Sequence, residues 1–183
     1  MKKDSHFEEI YYSEAHKVLN LCFRMLGDEQ TARDLAQDIW IQVYQHLDSF
    51  EGRSAISTWI YRITINRIIN YLKQKKRRFW QNLLEMDIFN LAKTEEETSY
   101  INNQVEKDPL EGLQKSELEK IVWNCILKLP AKQRIPLILF RYQGLSYKEI
   151  ADILGVSLSS VESRLHRAKK KLQKLLEPYL DKI

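Results

Sequence analysis

Glycine and proline are scarce in this sequence. Its 183 residues include five glycines and four prolines, and every glycine lies between stretches with helical periodicity. A β fold rich in tight turns needs many more of these residues, because glycine and proline supply the backbone conformations of turns. The long stretches without glycine therefore predict helices.

Cysteine is equally rare, and long apolar runs are missing. Cys22 and Cys125 are the only cysteines, and both lie within apolar stripes, which predicts buried thiols in a reducing compartment. No run of about 18 apolar residues exists, which excludes a transmembrane helix, and residues 1–9 lack the apolar segment of a secretory signal. We therefore expect a cytoplasmic protein that is not integral to a membrane.

The sequence also lacks the motifs of catalysis. It contains no glycine-rich phosphate loop, no cysteine or histidine spacing typical of a metal site, and no nucleophile motif. We therefore expect no catalytic residues, no metal ion and no cofactor, and we predict that the protein is not an enzyme.

Charge is plentiful but unevenly distributed along the chain. The formal net charge is +4 at pH 7, yet residues 1–84 carry +3, residues 85–111 carry −6 and residues 112–183 carry +7. An acidic segment thus separates two basic parts, and the C-terminal part is the more basic. Basic domains favour a polyanionic partner, which is usually nucleic acid.

Apolar periodicity divides the chain into two helical domains. Apolar residues recur at three- and four-residue steps in an N-terminal domain, residues 1–80, and again in a C-terminal domain, residues 113–183. Periodicity fades in residues 81–112, which we interpret as a flexible acidic linker. The predicted fold class is all-α, with two small helical domains. In the N-terminal domain the predicted helices span 7–26, 29–47 and 55–78.

A helix-turn-helix is the strongest local signal in the C-terminal domain. Ser146 and Glu149 have the spacing of a capping box at a helix start, Gly155 suits a tight turn, and Ser157 can cap the next helix. In this motif the second helix enters the major groove with its N-terminal residues against base edges. The alternative is an ordinary helical hairpin with a solvated basic face. The candidate DNA-binding residues are Ser159, Ser160, Ser163, Arg164, Arg167 and Lys170.

The third predicted helix carries a second candidate surface for nucleic acid. Four polar or basic residues fall on the face opposite its isoleucines, where they could track phosphates; the alternative is a solvated helix face. Trp59 and Tyr61, near the helix start, could stack on bases, although Trp59 shares the apolar stripe and we favour a core position for it. The four residues are Arg62, Asn66, Lys73 and Arg77.

The second predicted helix is acidic instead. Residues 28–51 contain six acidic residues and a single arginine, Arg33. This composition is wrong for binding DNA but suits a basic protein partner, and plain surface charge is the alternative interpretation. The candidate patch for such a partner consists of Asp34, Gln37, Asp38 and Ile41.

Segments of the chain resemble the extracytoplasmic-function sigma factors, the smallest branch of the sigma-70 family, in their residues, order and spacing. The matching segments are 34–38, 50–54 with 58–63, and 163–168 at the end of the helix-turn-helix. The resemblance implies a sigma factor that binds core RNA polymerase and directs it to promoters for transcription initiation. Its implied partners are core RNA polymerase, promoter DNA as duplex and as non-template single strand, and an anti-sigma factor.

The resemblance also implies a role for each domain. The N-terminal domain would bind core polymerase, with the acidic patch facing the clamp helices of the largest subunit. The same domain would recognise and melt the minus-ten element. There Tyr61 and the basic face of the third helix would lie beside a loop that holds a flipped base. The C-terminal domain would read the minus-thirty-five element as duplex, and the linker would thread toward the polymerase active cleft. The candidate residues of the loop are Phe50, Arg53 and Ser54.

One position departs from the family pattern. The family often has a lysine where this chain has Glu162. Because an acidic side chain beside phosphates is unfavourable, we expect Glu162 either to accept a hydrogen bond from a cytosine or to face solvent.

A stand-alone helix-turn-helix regulator is the alternative function, since it shares the C-terminal motif. Such a regulator usually binds symmetric sites as a dimer and needs no domain that grips polymerase. The acidic second helix and the basic third helix argue against it.

Overall fold

The structure, a computed structural model, describes residues 2–85 and 117–182. These residues form seven α-helices and two short 3-10 helices, and neither range contains a strand, which confirms the all-α class. No helix in the described part of the chain has the length and apolar character needed to cross a membrane. The α-helices are α1 (Lys2–Leu26), α2 (Glu29–His46), α3 (Ile56–Glu85), α4 (Glu117–Leu127), α5 (Ala131–Tyr142), α6 (Tyr147–Leu154) and α7 (Leu158–Leu176).

Two helices are longer than the sequence predicts. α1 begins at Lys2 instead of residue 7, and α3 continues to Glu85 instead of ending at residue 78. Residues 81–85, which belong to the predicted linker, thus continue α3; the rest of the predicted linker, residues 86–112, lies outside the described residues. Neither extension contains glycine or proline, so the helical backbone can continue without a break.

The N-terminal domain is a three-helix bundle with a dense apolar core. Gly27, with a φ of 74°, turns the chain between α1 and α2, and the Asp28 carboxylate caps α2 by accepting a hydrogen bond from the Thr31 amide at 2.7 Å. Cys22 is buried, as predicted, and burial raises the pKa of its thiol to about 12. The other fully buried apolar residues of this domain are Val18, Leu21, Met25, Ala32, Ile39, Val43, Ile60, Ile65 and Ile68.

In the C-terminal domain, α7 packs against α4, α5 and α6. The guanidinium of Arg134 is buried in α5, and its Nη1 donates to the carbonyl of Leu127 at 2.7 Å, which ties the end of α4 to α5. Burial lowers the pKa of Arg134 to about 10. Cys125 is also buried, as predicted, and its thiol donates to the carbonyl of Leu175 at 3.4 Å.

The two domains pack against each other. α3 contacts α6, and α1 contacts α5. Buried residues of both domains form one continuous apolar cluster. This packing places the helix-turn-helix directly beside α3, the helix that carries the predicted basic face.

Candidate nucleic-acid and protein interfaces

Two side-chain caps and a glycine turn hold the helix-turn-helix. At the start of α6, the Glu149 amide donates to Ser146 Oγ at 3.3 Å, and the Ser146 amide donates to the Glu149 carboxylate at 2.8 Å. Gly155 ends α6 with a φ of 62°, and Ser157 caps α7 by accepting from the Ser160 amide at 3.2 Å. The predicted capping box, turn and second cap are confirmed, and they fix how α7 leaves α6.

α7 has a buried face and an exposed face. Val161, Leu165 and Ala168 are buried. Arg164 is half-buried, because it lies one turn from both Val161 and Ala168 at the edge of the exposed face. Ser160 is also half-buried. The predicted DNA-binding residues on the exposed face are Ser159, Glu162, Ser163, Arg167 and Lys170.

Two further exposed residues of α7 were missed by the sequence reasoning. Leu158, the first residue of the helix, is 49% exposed beside Ser159, and its side chain could contact a thymine methyl group. His166 is exposed one turn after Ser163, and its ring nitrogens can donate or accept a hydrogen bond. The position of Leu158 directly after the capping Ser157 was the available signal, since the first turn of the second helix contacts base edges in helix-turn-helix motifs in general.

The loop between α2 and α3 combines exposed polar groups with an aromatic pair. The rings of Phe50 and Trp59 lie 5.4 Å apart and tilted by 46°. Trp59 packs against the apolar core, as favoured from the sequence, but it is only half-buried and stays partly exposed beside Phe50. Arg53 and Ser54 are exposed, and Arg53 pairs with Glu51 at 2.6 Å. A ring, a cation and a hydroxyl are thus available together at the start of α3.

The basic face of α3 is exposed, and the opposite face is buried. Ile60, Ile65 and Ile68 have no exposed surface. This division into an apolar and a polar face is the one that the sequence predicts. The exposed polar residues are Arg62, Asn66, Lys73 and Arg77.

Two of the predicted minus-ten residues contact the C-terminal domain. The Tyr61 side chain is buried, and its hydroxyl donates to Gln143 Oε1 at 3.0 Å. Burial, with a smaller contribution from Glu14, raises the pKa of Tyr61 to about 12. Arg62 Nη2 donates to the carbonyl of Asp152 at 3.0 Å. In this arrangement Tyr61 has no exposed ring face on which a base could stack.

The acidic patch of α2 consists of Asp34, Gln37, Asp38 and Ile41, all of them exposed. Ile41 is 49% exposed, although it is a large apolar side chain. Arg67 of α3, which the sequence reasoning missed, donates to Asp38 at 2.6 Å. This ion pair joins the acidic patch to the helix with the basic face.

An aromatic groove between α1 and α2 adjoins the acidic patch. The Phe7 ring meets the Trp40 ring edge-on at 6.0 Å, and the Tyr11 ring meets it at 5.0 Å. The sequence reasoning missed the α1 side of this groove, because Phe7 and Tyr11 also fit the apolar stripe of a core helix. The groove shares two lining residues with the acidic patch, Gln37 and Ile41. Groove and patch therefore form one surface that is both apolar and acidic.

Metal-binding chemistry is not evident in the described part of the chain. Within residues 2–85 and 117–182, no group of three or more histidine, cysteine, aspartate or glutamate side chains is placed to hold a metal ion. The candidate sites in these ranges are instead exposed surfaces, namely the polar faces of α3 and α7 and the surface between α1 and α2. Such surfaces can bind a polyanion and a protein.

Two family profiles match the chain. The profile described as Sigma-70 region 2 matches residues 10–78, and the profile described as Sigma-70, region 4 matches residues 119–172. The first match includes most of the N-terminal bundle, and the second includes the helix-turn-helix.

Individual proteins match over most of their length. The ECF RNA polymerase sigma factor SigW of Bacillus subtilis is 36% identical over 87% of this chain and 83% of its own. The RNA polymerase sigma-H factor of Pseudomonas aeruginosa is 34% identical over 95% of this chain and 88% of its own. The sigma factor RpoE of Bartonella quintana, solved in complex with the anti-sigma factor NepR, shares the fold with a TM-score of 0.65 and 22% identity, over 94% of this chain and 97% of its own.

These matches define the class of protein as a transcription initiation factor. The chain belongs to the sigma-70 family, in its extracytoplasmic-function branch. Sigma factors bind core RNA polymerase and direct it to promoter DNA, and they are not enzymes. The predicted function is therefore confirmed, and a stand-alone regulator does not account for the match to region 2.

Proposed function

We propose that the two domains divide the work of promoter recognition. The N-terminal domain, residues 1–80, binds core polymerase and the minus-ten element, while the C-terminal domain, residues 113–183, reads the minus-thirty-five element, and residues 81–112 link them. The observation that carries this proposal is that one chain presents an acidic, aromatic surface on α1 and α2 and a capped helix-turn-helix with a basic exposed face on α7. We place this work in the cytoplasm, where core polymerase and promoter DNA meet.

The surface of acidic patch and aromatic groove suits a protein partner. Among the aromatic residues of the groove, Tyr11 and Tyr44 are exposed. Tyrosines of this kind often contribute strongly to an interface, because they bury a large area with little loss of conformational freedom. Ile41 lies where groove and patch meet, so a partner helix that covers it also reaches the carboxylates of Asp34 and Asp38. Complementary basic residues on that helix would then set orientation and association rate.

The loop and α3 suit single-stranded DNA. The aromatic pair of Phe50 and Trp59 offers a ring surface for an extruded base. Arg53 and Ser54 are exposed beside it. Arg62 and the polar residues that follow on α3 can track the phosphates of the same strand.

The exposed face of α7 suits the major groove of duplex DNA. Ser159 and Ser163 lie near the N-terminus of α7, where base edges are reached. Arg167 and Lys170 continue the same face as cations. The exposed Glu162 carboxylate is positioned among these residues and can accept a hydrogen bond from the amino group of a cytosine.

We also propose that an anti-sigma factor is among the partners of this protein. The proposal is supported by RpoE of Bartonella quintana, which has the same fold and was solved with the anti-sigma factor NepR. A partner that covers the aromatic groove would compete with core polymerase for Ile41 and Gln37.

Binding of purified core polymerase, measured by gel filtration and by fluorescence anisotropy, tests the proposed function. The double variant Asp34→Lys/Asp38→Lys should bind core polymerase at least about tenfold more weakly, because charge reversal at an interface penalises the complex. The matched control is Glu117→Lys/Glu177→Lys, which reverses two exposed carboxylates of the C-terminal domain and should bind normally. Equal affinity of both double variants, with unchanged helicity, would contradict the assignment of this surface.

A further inference from the structure

α7 contains a single acidic residue, although its exposed face is the one that we assign to duplex DNA. Glu162 is exposed, and six lysines and arginines belong to the same helix. Within residues 2–85 and 117–182, the Glu162 carboxylate has no ion-pair or hydrogen-bond partner. Because DNA phosphates repel a carboxylate, Glu162 cannot serve the general affinity of this face for DNA.

The stability of α7 does not account for this carboxylate either. The helix dipole favours an acidic residue in the first turn, where α7 has none and where Ser157 provides the cap. Ion pairs along a helix join residues three or four positions apart, and no lysine or arginine lies at those spacings from Glu162. The four residues at those spacings are Leu158, Ser159, Leu165 and His166. The carboxylate is therefore available to a partner outside the chain.

Leu158 lies one turn before Glu162, and the core does not account for its position. It is the first residue of α7, it is 49% exposed, and it is not part of the apolar cluster of the described residues. Residues four apart on a helix lie on the same face, with their Cβ atoms roughly 5–6 Å apart. An apolar group and a hydrogen-bond acceptor thus lie side by side at the end of the helix that enters the major groove.

The four bases differ in what they offer to these two groups. In the major groove only cytosine and adenine present an amino group, and adenine has the acceptor N7 beside it, so cytosine suits a carboxylate best. Thymine and guanine present acceptor oxygens there, which repel a carboxylate. Thymine alone of the four carries a methyl group, which an exposed leucine can cover.

We propose that Leu158 and Glu162 form a two-residue reader that selects a thymine and a cytosine at neighbouring base pairs of the minus-thirty-five element. The spacing follows from zinc fingers, in which helix residues about one turn apart contact successive bases. The proposal rests on the proposed function, since α7 has to enter the major groove. It adds the bases that this edge of the helix selects and those that it rejects.

Promoter selection by the full chain bound to core polymerase tests the reader. From a library randomised over the minus-thirty-five element, the wild type should enrich cytosine at one position and thymine at its neighbour. Glu162→Gln should lower the preference for cytosine roughly fivefold to hundredfold, the range expected for one mismatched base pair. It should also shift the preference toward adenine, which glutamine binds by two hydrogen bonds. An unchanged preference in Glu162→Gln would overturn the proposal.

Reversal of the charge separates base reading from plain surface charge. Glu162→Lys should lose the cytosine preference, bind all sequences more tightly and raise the salt slope by about one unit, because a lysine can contact a phosphate. The matched control Glu177→Lys makes the same change of charge at an exposed position at the other end of α7, and it should keep the wild-type base preference. If both variants kept that preference, Glu162 would be a surface charge and the reader would be wrong.

Deoxyuridine in the promoter tests Leu158 without any change in the charge of the protein. Replacing the selected thymine by deoxyuridine removes only the methyl group, and it should weaken binding of the wild type about fourfold, the value of one buried carbon group. Leu158→Ala should bind both promoters equally. An equal loss for the wild type and Leu158→Ala would contradict the contact between Leu158 and thymine.

Failure of the reader and failure of the proposed function give different results. If Glu162→Gln and Leu158→Ala keep the wild-type preferences while Arg167→Ala weakens binding to the minus-thirty-five element, the reader is wrong and α7 still binds the promoter. If Arg167→Ala and Lys170→Ala also leave this binding unchanged, the assignment of α7 to the minus-thirty-five element fails, and the reader fails with it. Circular dichroism and the thermal unfolding midpoint of each variant show that its fold is intact.

Discussion

The surface between α1 and α2 and the exposed face of α7 differ in the chemical groups that each offers to a partner. The first combines carboxylates with a groove of aromatic rings and an exposed Ile41, so a partner gains affinity mainly by burying apolar area. The second combines serines, arginines and lysines with Glu162, so we expect its affinity for DNA to depend on phosphate contacts and to fall with salt. We therefore expect polymerase binding to tolerate salt concentrations that abolish binding of the C-terminal domain to DNA.

The largest expected effect comes from a matched pair of apolar residues, one on each surface. Ile41 and Leu158 are both 49% exposed, so replacing either by Glu should leave the fold intact. Ile41→Glu should weaken binding of core polymerase by about thirtyfold or more, the loss typical of a central interface residue, and leave duplex binding unchanged. Leu158→Glu should show the reverse pattern, because a carboxylate at the start of α7 loses the apolar contact and is repelled by the phosphates of bound DNA.

Fluorescence anisotropy measures the affinity for polymerase. Footprinting measures the minus-thirty-five affinity of the polymerase complex, at polymerase concentrations high enough to saturate each variant. If both variants weakened both interactions equally, the two surfaces would not be separate. Circular dichroism would detect a loss of helicity in either Glu variant. In that case the conservative variants Ile41→Leu and Leu158→Val are tested in its place.

A smaller effect is expected within the exposed face of α7, where base contacts and phosphate contacts should differ. Arg164 lies at the edge of this face, half-buried near Val161 and Ala168, whereas Lys170 is fully exposed. We predict that Arg164 reads a base, so that Arg164→Ala costs about 1–3 kcal/mol and relaxes preference at one position. Lys170→Ala should instead weaken all sequences alike and lower the salt slope by about one unit.

Transcription from a library of minus-thirty-five variants distinguishes these roles. An even loss of output across the library for Arg164→Ala would show that Arg164 positions the helix without reading sequence. Specificity would then lie with Ser159, Ser163, Arg167 or Glu162, and the same library with Arg167→Ala would show whether this more exposed arginine is the reader.

The same two surfaces differ in how much of each could be predicted from sequence. The helix-turn-helix depends on contacts within a few residues, such as the capping box of Ser146 and Glu149, and local spacing specifies them. The aromatic groove depends on how α1 packs beside α2, and Tyr11 fits a core stripe equally well until that packing is known. The burial of Tyr61 depends on contact with Gln143 from the other domain, which local periodicity does not encode.

The smallest expected effect concerns the helix caps, which exist in both domains. Asp28 caps α2 by accepting from the Thr31 amide, and Ser146 caps α6 by accepting from the Glu149 amide. Replacing either cap by Ala should lower the free energy of unfolding by about 1 kcal/mol. The two caps differ in charge, so their contributions should respond differently to pH.

Hydrogen bonds from Thr31 lower the pKa of Asp28 below its ordinary value. A carboxylate with a depressed pKa in the folded state contributes stability above its unfolded pKa of about 3.9, and this contribution is lost as the pH falls through the folded value. Asp28→Asn keeps an acceptor without a titrating group, so its stability relative to wild type should rise as the pH falls below about 4. The Ser146 hydroxyl does not titrate in this range. The difference in unfolding free energy between Ser146→Ala and wild type should therefore depend on pH only through the Glu149 carboxylate, whose pKa is lowered by hydrogen bonds from Ser146. Urea unfolding between pH 3 and 7 measures the stability of both cap variants, and amide exchange in α2 and α6 shows which helix loses stability. Parallel pH profiles for Asp28→Asn and wild type would show that the carboxylate charge adds nothing to this cap.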